Sequence, residues 1–172
     1  MADIYIGLMS GTSADSIDCA VLDLSSNKIK VIGCKNFEIP KDLKTDIIDA
    51  SQSKELEQAL IDDLDFEMAE VLVNSVKEAI EDFNIDFKDI KAIGSHGQTI
   101  KHQPKSKAPF SLQVGDPQKI SNDLKIKTIG NFRNDDIQSG GEGAPLTPIF
   151  HETVFASDKK RKAIVNIGGI TN

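Results

Sequence analysis

Three stretches of the chain combine residue types that can do chemistry. The first is Met9-Ser10-Gly11-Thr12-Ser13-Ala14-Asp15-Ser16-Ile17-Asp18. Small hydroxyl residues around a glycine leave backbone N–H groups and hydroxyls free to face an anion. Asp15 and Asp18 do not bind phosphate directly, but a hydrated Mg²⁺ takes one or two carboxylates together with phosphate oxygens. The run is not a Walker loop, because no Gly-x-x-x-x-Gly-Lys-Ser/Thr occurs. The same residues also suit a plain turn between two hairpin strands.

The second stretch is Ser95-His96-Gly97-Gln98-Thr99. A His and a Gln flanking a glycine at a strand end can hydrogen-bond sugar hydroxyls. A lone histidine serves equally as a satisfied structural group. The third is Asn131-Phe132-Arg133-Asn134-Asp135-Asp136, which leads into Gly140-Gly141-Glu142-Gly143-Ala144-Pro145. Arg133 beside carboxylates can form an ion pair. It can also clamp phosphate, since the guanidinium fork matches phosphate oxygens. His102 and His151 are too far apart and too unpatterned for a metal site, and no Ser-His-Asp or Cys-His arrangement can be argued.

These stretches need a frame, and hydrophobic periodicity supplies one. Residues 4–9 read as a strand, 17–24 as a second and 29–39 as a third, so the opening is a meander with a Gly/Ser loop after its first strand. Pro40 starts a short helix. A longer helical region runs from about Glu55 to Phe83, with Leu56, Leu60, Leu64, Met68, Leu72, Val76 and Ile80 recurring every fourth residue. Ser53 is its expected N-cap, and Asp62, Asp63, Glu67, Glu70, Glu78 and Glu81 its solvated face. Strands are expected again at 90–94, 110–114 and 126–129, with one or two helical turns over 118–125. A last strand begins at Ala163–Val165. This is an α/β pattern, in which ligands collect at the carboxyl ends of strands.

The chain has 172 residues, 39% hydrophobic and 27% charged, which fits one folded domain. Its net charge of −7 weighs against nucleic acid and against an anionic membrane surface as partners. No apolar run approaches the ~20 residues of a membrane helix. The Met1–Tyr5 opening lacks the basic region of a secretory signal, so the expected location is cytoplasmic. Cys19 and Cys34 are expected as a pair of buried free thiols.

Six ordered motifs resemble the anhydro-N-acetylmuramic acid kinases: Met-Ser-Gly-Thr-Ser-x-Asp at 9–15, Gly-Ser-His-Gly-Gln-Thr at 94–99, Gln-Val-Gly-Asp-Pro at 113–117, Phe-Arg-x-x-Asp at 132–136, Gly-Gly-x-Gly-Ala-Pro-Leu-x-Pro at 140–148 and Asn-Ile-Gly-Gly-Ile-x-Asn at 166–172. The resemblance covers essentially all of this chain but only about the first half of the family pattern. It implies an α/β fold: the first lobe of an actin-like ATPase or sugar kinase (ribonuclease H-like), a mixed sheet of about five strands with flanking helices. Residues 1–172 would be the N-terminal lobe, with a second lobe starting at about 163–172 and the rest of it missing.

The resemblance further implies ATP and Mg²⁺ as cofactors. The implied substrate is an amino sugar, 1,6-anhydro-N-acetylmuramic acid, whose ring is opened by water and whose O6 is phosphorylated. The product is the N-acetylmuramic acid 6-phosphate of cell-wall recycling. Gly11, Thr12, Ser13, Ala14, Asp15, Ser16, Ile17 and Asp18 would form the phosphate loop. His96, Gln98, Thr99, Asp116 and Arg133 would face the sugar.

Four departures accompany the resemblance. Ser16 stands where the family usually has glycine, and Glu142 where it has glutamine. Asn131 replaces an aspartate that resembles the family's general base, and an amide cannot accept the proton of the attacking water. The chain also ends at Asn172, where the second lobe should begin. The expectation is a chain that alone turns over poorly or not at all. A non-catalytic remnant that binds sugar, nucleotide or a partner, or one piece of a split kinase, stays open beside it, and an uncovered apolar face is expected to drive self-association.

Overall fold

A computed structural model describes residues 2–26 and 28–165. The opening meander forms as expected. Strands β1 (Ile4–Ser10), β2 (Ser16–Asp23) and β3 (Lys30–Glu38) pair antiparallel in sequence order. Helices α1 (Lys41–Gln52) and α2 (Gln58–Asp82) follow, then a 3₁₀ turn at Phe87–Asp89 and strand β4 (Ile90–Ser95). After a separate ribbon come α3 (Pro117–Leu124) and β7 (Thr128–Ile129). The main sheet has the order β3-β2-β1-β4-β7, with β4 parallel to both β1 and β7.

Strand alternation decides which face is covered. Ile4, Ile6 and Leu8 of β1 and Ile17, Cys19 and Val21 of β2 share one core with Leu43 and Ile47 of α1. The α2 stripe completes it through Leu64, Met68, Leu72, Val76 and Ala79. Tyr5, Met9, Asp18 and Cys34 lie exposed on the other face. Cys19 therefore stays buried, but Cys34 does not, which corrects the expected pair of buried thiols. Cys34 pairs with Ala20, one register step from Cys19, so strand geometry turns the two thiols to opposite faces.

Ser53 is not the N-cap of the long helix. It is the C-cap of α1, and α2 begins five residues later behind Glu57, which makes no side-chain cap bond. The reason is a tertiary contact. Lys101 Nζ donates to the carbonyls of Ser51 at 2.6 Å and Ser53 at 2.5 Å, satisfying acceptors that the end of α1 leaves open.

Lys101 belongs to β5 (Gln98–Gln103), which pairs antiparallel with β6 (Phe110–Val114) in a two-stranded ribbon. Sequence reading places β6 but not β5, whose Gln-Thr-Ile-Lys-His-Gln is mostly polar. Helix α4 (Phe132–Gln138) lies where a loop is expected, and α5 (Pro148–Phe155) lies where sequence reading assigns no element. No strand forms over Ala163–Val165, whose apolar side chains stay exposed. The rest of that expected element, with the Asn-Ile-Gly-Gly motif and most of the expected second-lobe start, lies outside the described residues.

Candidate functional site

Because β1, β4 and β7 run parallel, their carboxyl ends share one edge of the sheet. The edge is tightly built. The His96 N–H donates to the Leu8 carbonyl at 3.0 Å, continuing the strand pairing past Ser95. Gly130 follows β7 in a space where a Cβ would lie 2.9 Å from Pro117 and 3.1 Å from the Ser95 carbonyl oxygen.

The loop from β1 to β2 is a turn and also presents its polar rim to solvent. Its Ala14 N–H donates to the Gly11 carbonyl at 3.0 Å, and Ser10 Oγ donates to the Ser16 carbonyl at 3.1 Å. Gly11, Thr12, Ser13 and Asp15 are exposed, while Ala14 and Ile17 are buried in the core. The side chains of the last two therefore hold the loop by packing. Asp15 pairs with Lys44 of α1, which holds its carboxyl below the usual value, with help from Ser13. Asp18 accepts from the Asn36 amide on β3. Open hydroxyls and an unobstructed glycine fit a phosphate group. Asp15 is engaged by Lys44 and Asp18 by Asn36, and either carboxylate suits a Mg²⁺ that takes its other ligands from phosphate and water. No preformed cluster of three or more metal-ligating side chains exists among the described residues.

His96 and Arg133, 37 positions apart, come together. Arg133 Nε donates to His96 Nε2 at 2.7 Å, and His96 Nδ1 lies 2.9 Å from the Gly97 carbonyl. Burial lowers the imidazole pKa, and the Arg133 charge lowers it further. Arg133 Nη1 also donates to the Gly143 carbonyl at 2.7 Å. One helical turn on, Asp136 Oδ2 accepts from the Gly143 N–H at 2.7 Å, and the Asp136 carbonyl accepts from the Gly141 N–H at 2.8 Å. Helix α4 thus grips the glycine loop from both sides of one residue, Gly143. Glu142 in that loop faces Lys105 of the β5–β6 turn at 3.2 Å.

The other expected sugar-facing residues have structural partners. Gln98 is buried and donates Nε2 to the Thr99 carbonyl at 3.1 Å, and Thr99 Oγ1 accepts from Gln113 Nε2 at 3.2 Å. Asp116 caps α3, accepting from the N–H groups of Gln118 at 2.7 Å and Lys119 at 3.0 Å. Asn131 precedes α4 with φ 61°, a left-handed conformation that asparagine tolerates. Its Nδ2 donates to Asp135 Oδ1 at 2.8 Å, and its Oδ1 accepts from Asn134 at 3.3 Å.

Sequence reading missed Asp65. On α2 its Oδ1 accepts from the Gly115 N–H at 2.7 Å. Desolvation raises its carboxyl pKa, with Asp116 and Asp62 adding like charge. Asp65 lines a cavity of about 70 Å³ together with Ser95, His96, Gln113, Gly115 and Asn131. A signal was available: Asp65 interrupts the apolar row Ile61, Ala69, Val73 at four-residue spacing, and Ala69 and Val73 are buried.

The family model for anhydro-N-acetylmuramic acid kinase matches residues 3–172. A protein of that name from Actinobacillus pleuropneumoniae serotype 7 is 38% identical over 170 residues, which is 99% of this chain and 46% of the relative. One from Vibrio vulnificus is 36% identical over 170 residues, with the same two coverages of 99% and 46%. One from Aliivibrio fischeri is 36% identical over 168 residues, 98% of this chain and 46% of the relative. The chain spans about half the length of the curated relatives it matches.

Proposed function

The chain belongs to the anhydro-N-acetylmuramic acid kinase family, and on that premise we propose that its sheet edge carries the phosphate-facing and sugar-facing side of an ATP-dependent kinase. Its α/β fold is that of the actin-like ATPases and sugar kinases. The observation that carries the reading is the convergence, at the ends of neighbouring strands β1 and β4, of the open Gly11–Ser13 rim and the His96–Arg133 pair. The first suits the phosphates of ATP with Mg²⁺. The second stands beside a small polar cavity suited to sugar hydroxyls.

In this reading the substrate is 1,6-anhydro-N-acetylmuramic acid. The oxygen of water bonds to C1 and the C1–O6 bond breaks. O6 takes the γ-phosphoryl group of ATP, ADP leaves, and the water gives up a proton. Asn131 stands where the resemblance puts the family's base and accepts no proton, so the reaction proceeds without general-base help there. The setting would be the cytoplasm. The exposed apolar residues of α5, Ile149, Phe150, Val154 and Phe155, support an association through that face, with a second lobe or with another copy of the chain.

The test supplies the chain, alone and joined to the C-terminal half of the Actinobacillus relative, with ATP, Mg²⁺ and the anhydro sugar. Mass spectrometry should find N-acetylmuramic acid 6-phosphate from the joined protein and little or none from the chain alone. No product and no sugar binding by the joined protein would overturn the reading.

A further inference from the structure

We propose that the cavity between α2 and the ends of β4 and β6 is a hydroxyl-binding subsite, in which Asp65 and Gln113 accept hydrogen bonds from one sugar hydroxyl or from the water that precedes it. The sugar half of this assignment rests on the kinase reading; the water half does not.

Three groups left short of partners meet at this cavity. Asp65 spends Oδ1 on the Gly115 N–H at 2.7 Å, which leaves most of the acceptor capacity of a carboxylate unused. The charges acting on it from Asp62 and Asp116 are negative, and among the described residues no cation pairs with it. Gln113 donates Nε2 to Thr99 Oγ1 at 3.2 Å and to Ser111 Oγ at 2.7 Å, using both amide protons. Its Oε1 is thereby left as an acceptor, buried and without a partner. Ser95 is 3% exposed, and its Oγ also lacks a partner.

The chemistry selects the guest. Two acceptors and an adaptable hydroxyl call for a donor. An anion is repelled by Asp65, and an apolar group would leave all three unpaired. His96 cannot serve as the donor, because its Nε2 already accepts from Arg133. A cavity of about 70 Å³ has room for a water or a hydroxyl with its carbon. The phosphates of ATP therefore belong at the Gly11–Ser13 rim, and the uncharged hydroxyl side of the sugar belongs here.

A high-resolution crystal structure of the chain should show a water bonded to Asp65 and Gln113, and a dry cavity would overturn the proposal. In the joined two-lobe protein, Asp65→Asn keeps an acceptor for Gly115 but loses the charge. It should weaken binding of 1,6-anhydro-N-acetylmuramic acid about tenfold in calorimetric titration and leave ATP affinity unchanged. Undiminished sugar affinity in Asp65→Asn would overturn the sugar assignment. An ordered water together with no sugar binding by the unsubstituted protein would uphold the subsite and sink the kinase reading instead.

Discussion

Arg133 Nε donates to His96 Nε2 at 2.7 Å, and that contact fixes the tautomer of the imidazole. Nε2 must be the acceptor, so the proton sits on Nδ1, which faces the Gly97 carbonyl at 2.9 Å. Protonating Nε2 would set two donors against each other and loosen the grip of Arg133 on the glycine loop.

The sign of the resulting pH dependence follows. His96 has a pKa below its ordinary 6.5 in the folded chain, so the unfolded chain binds the proton more readily. Its contribution to stability is present above about pH 6.5 and is lost as pH falls through the lowered folded value. The Tm should fall as pH is lowered below 6.5, and His96→Gln should flatten that part of the curve. In the NMR titration the His96 ring should keep the Nδ1–H form to below pH 6.5. A ring that titrates above 6.5 would remove Arg133 from this role.

Asp65 has the opposite sign. Its folded carboxyl pKa lies above the usual 3.8, so the ionised side chain costs stability at neutral pH. Asp65→Asn keeps the acceptor for Gly115 and removes that cost. Its Tm should exceed that of the unsubstituted chain at pH 7, by about 2–4 °C for each kcal/mol regained. The gap should close as pH falls toward 3.8. A variant less stable at pH 7 would mean that burial does not raise this carboxyl's pKa and that its charge is stabilising.

Gly97 joins β4 to β5 at φ 68°, and a Cβ there would lie 2.4 Å from the Val114 carbonyl oxygen. Backbone cannot yield as the end of a long side chain can. Gly97→Ala should therefore combine left-handed strain with overpacking, at about 2–4 kcal/mol. Urea unfolding should show the midpoint shift. A variant within about 0.5 kcal/mol, the usual range of surface changes, would place the ribbon elsewhere.

How legible each part was depended on the range of the forces that shape it. The meander and the Leu64–Met68–Leu72–Val76 stripe are written in local period, so sequence reading found them. The polar and glycine-rich ends of β1, β4 and β7 were legible, but their parallel direction comes from the pairing across the sheet. Strand β5 was hidden because Gln98–Gln103 is mostly polar and takes its register from β6. The start of α2 was misplaced because Lys101, 48 residues from Ser53, ends α1 there. His96 and Arg133 were singled out by type, but nothing local says that they touch. Asp65 was passed over because a carboxylate on an acidic helix reads as solvated until Gly115 is seen to need it.

Asn131→Asp sets stability against chemistry. Asn131 Nδ2 now donates to Asp135 Oδ1 at 2.8 Å. An aspartate there loses the donor and places a second carboxylate beside the first. The substitution should cost about 1–2 kcal/mol in urea unfolding at pH 7. Like charge also raises the pKa of one member of the pair, which makes a carboxylate a better proton acceptor near neutrality. If Asn131 holds the place of the family's base, the same substitution in the joined two-lobe protein should speed ADP release with the anhydro sugar by at least ~10²-fold. The two effects are separable, because the unfolding measurement needs no substrate and the rate measurement needs only the folded fraction. Lost stability with an unchanged rate would confirm the Asp135 contact and remove position 131 from the proton transfer.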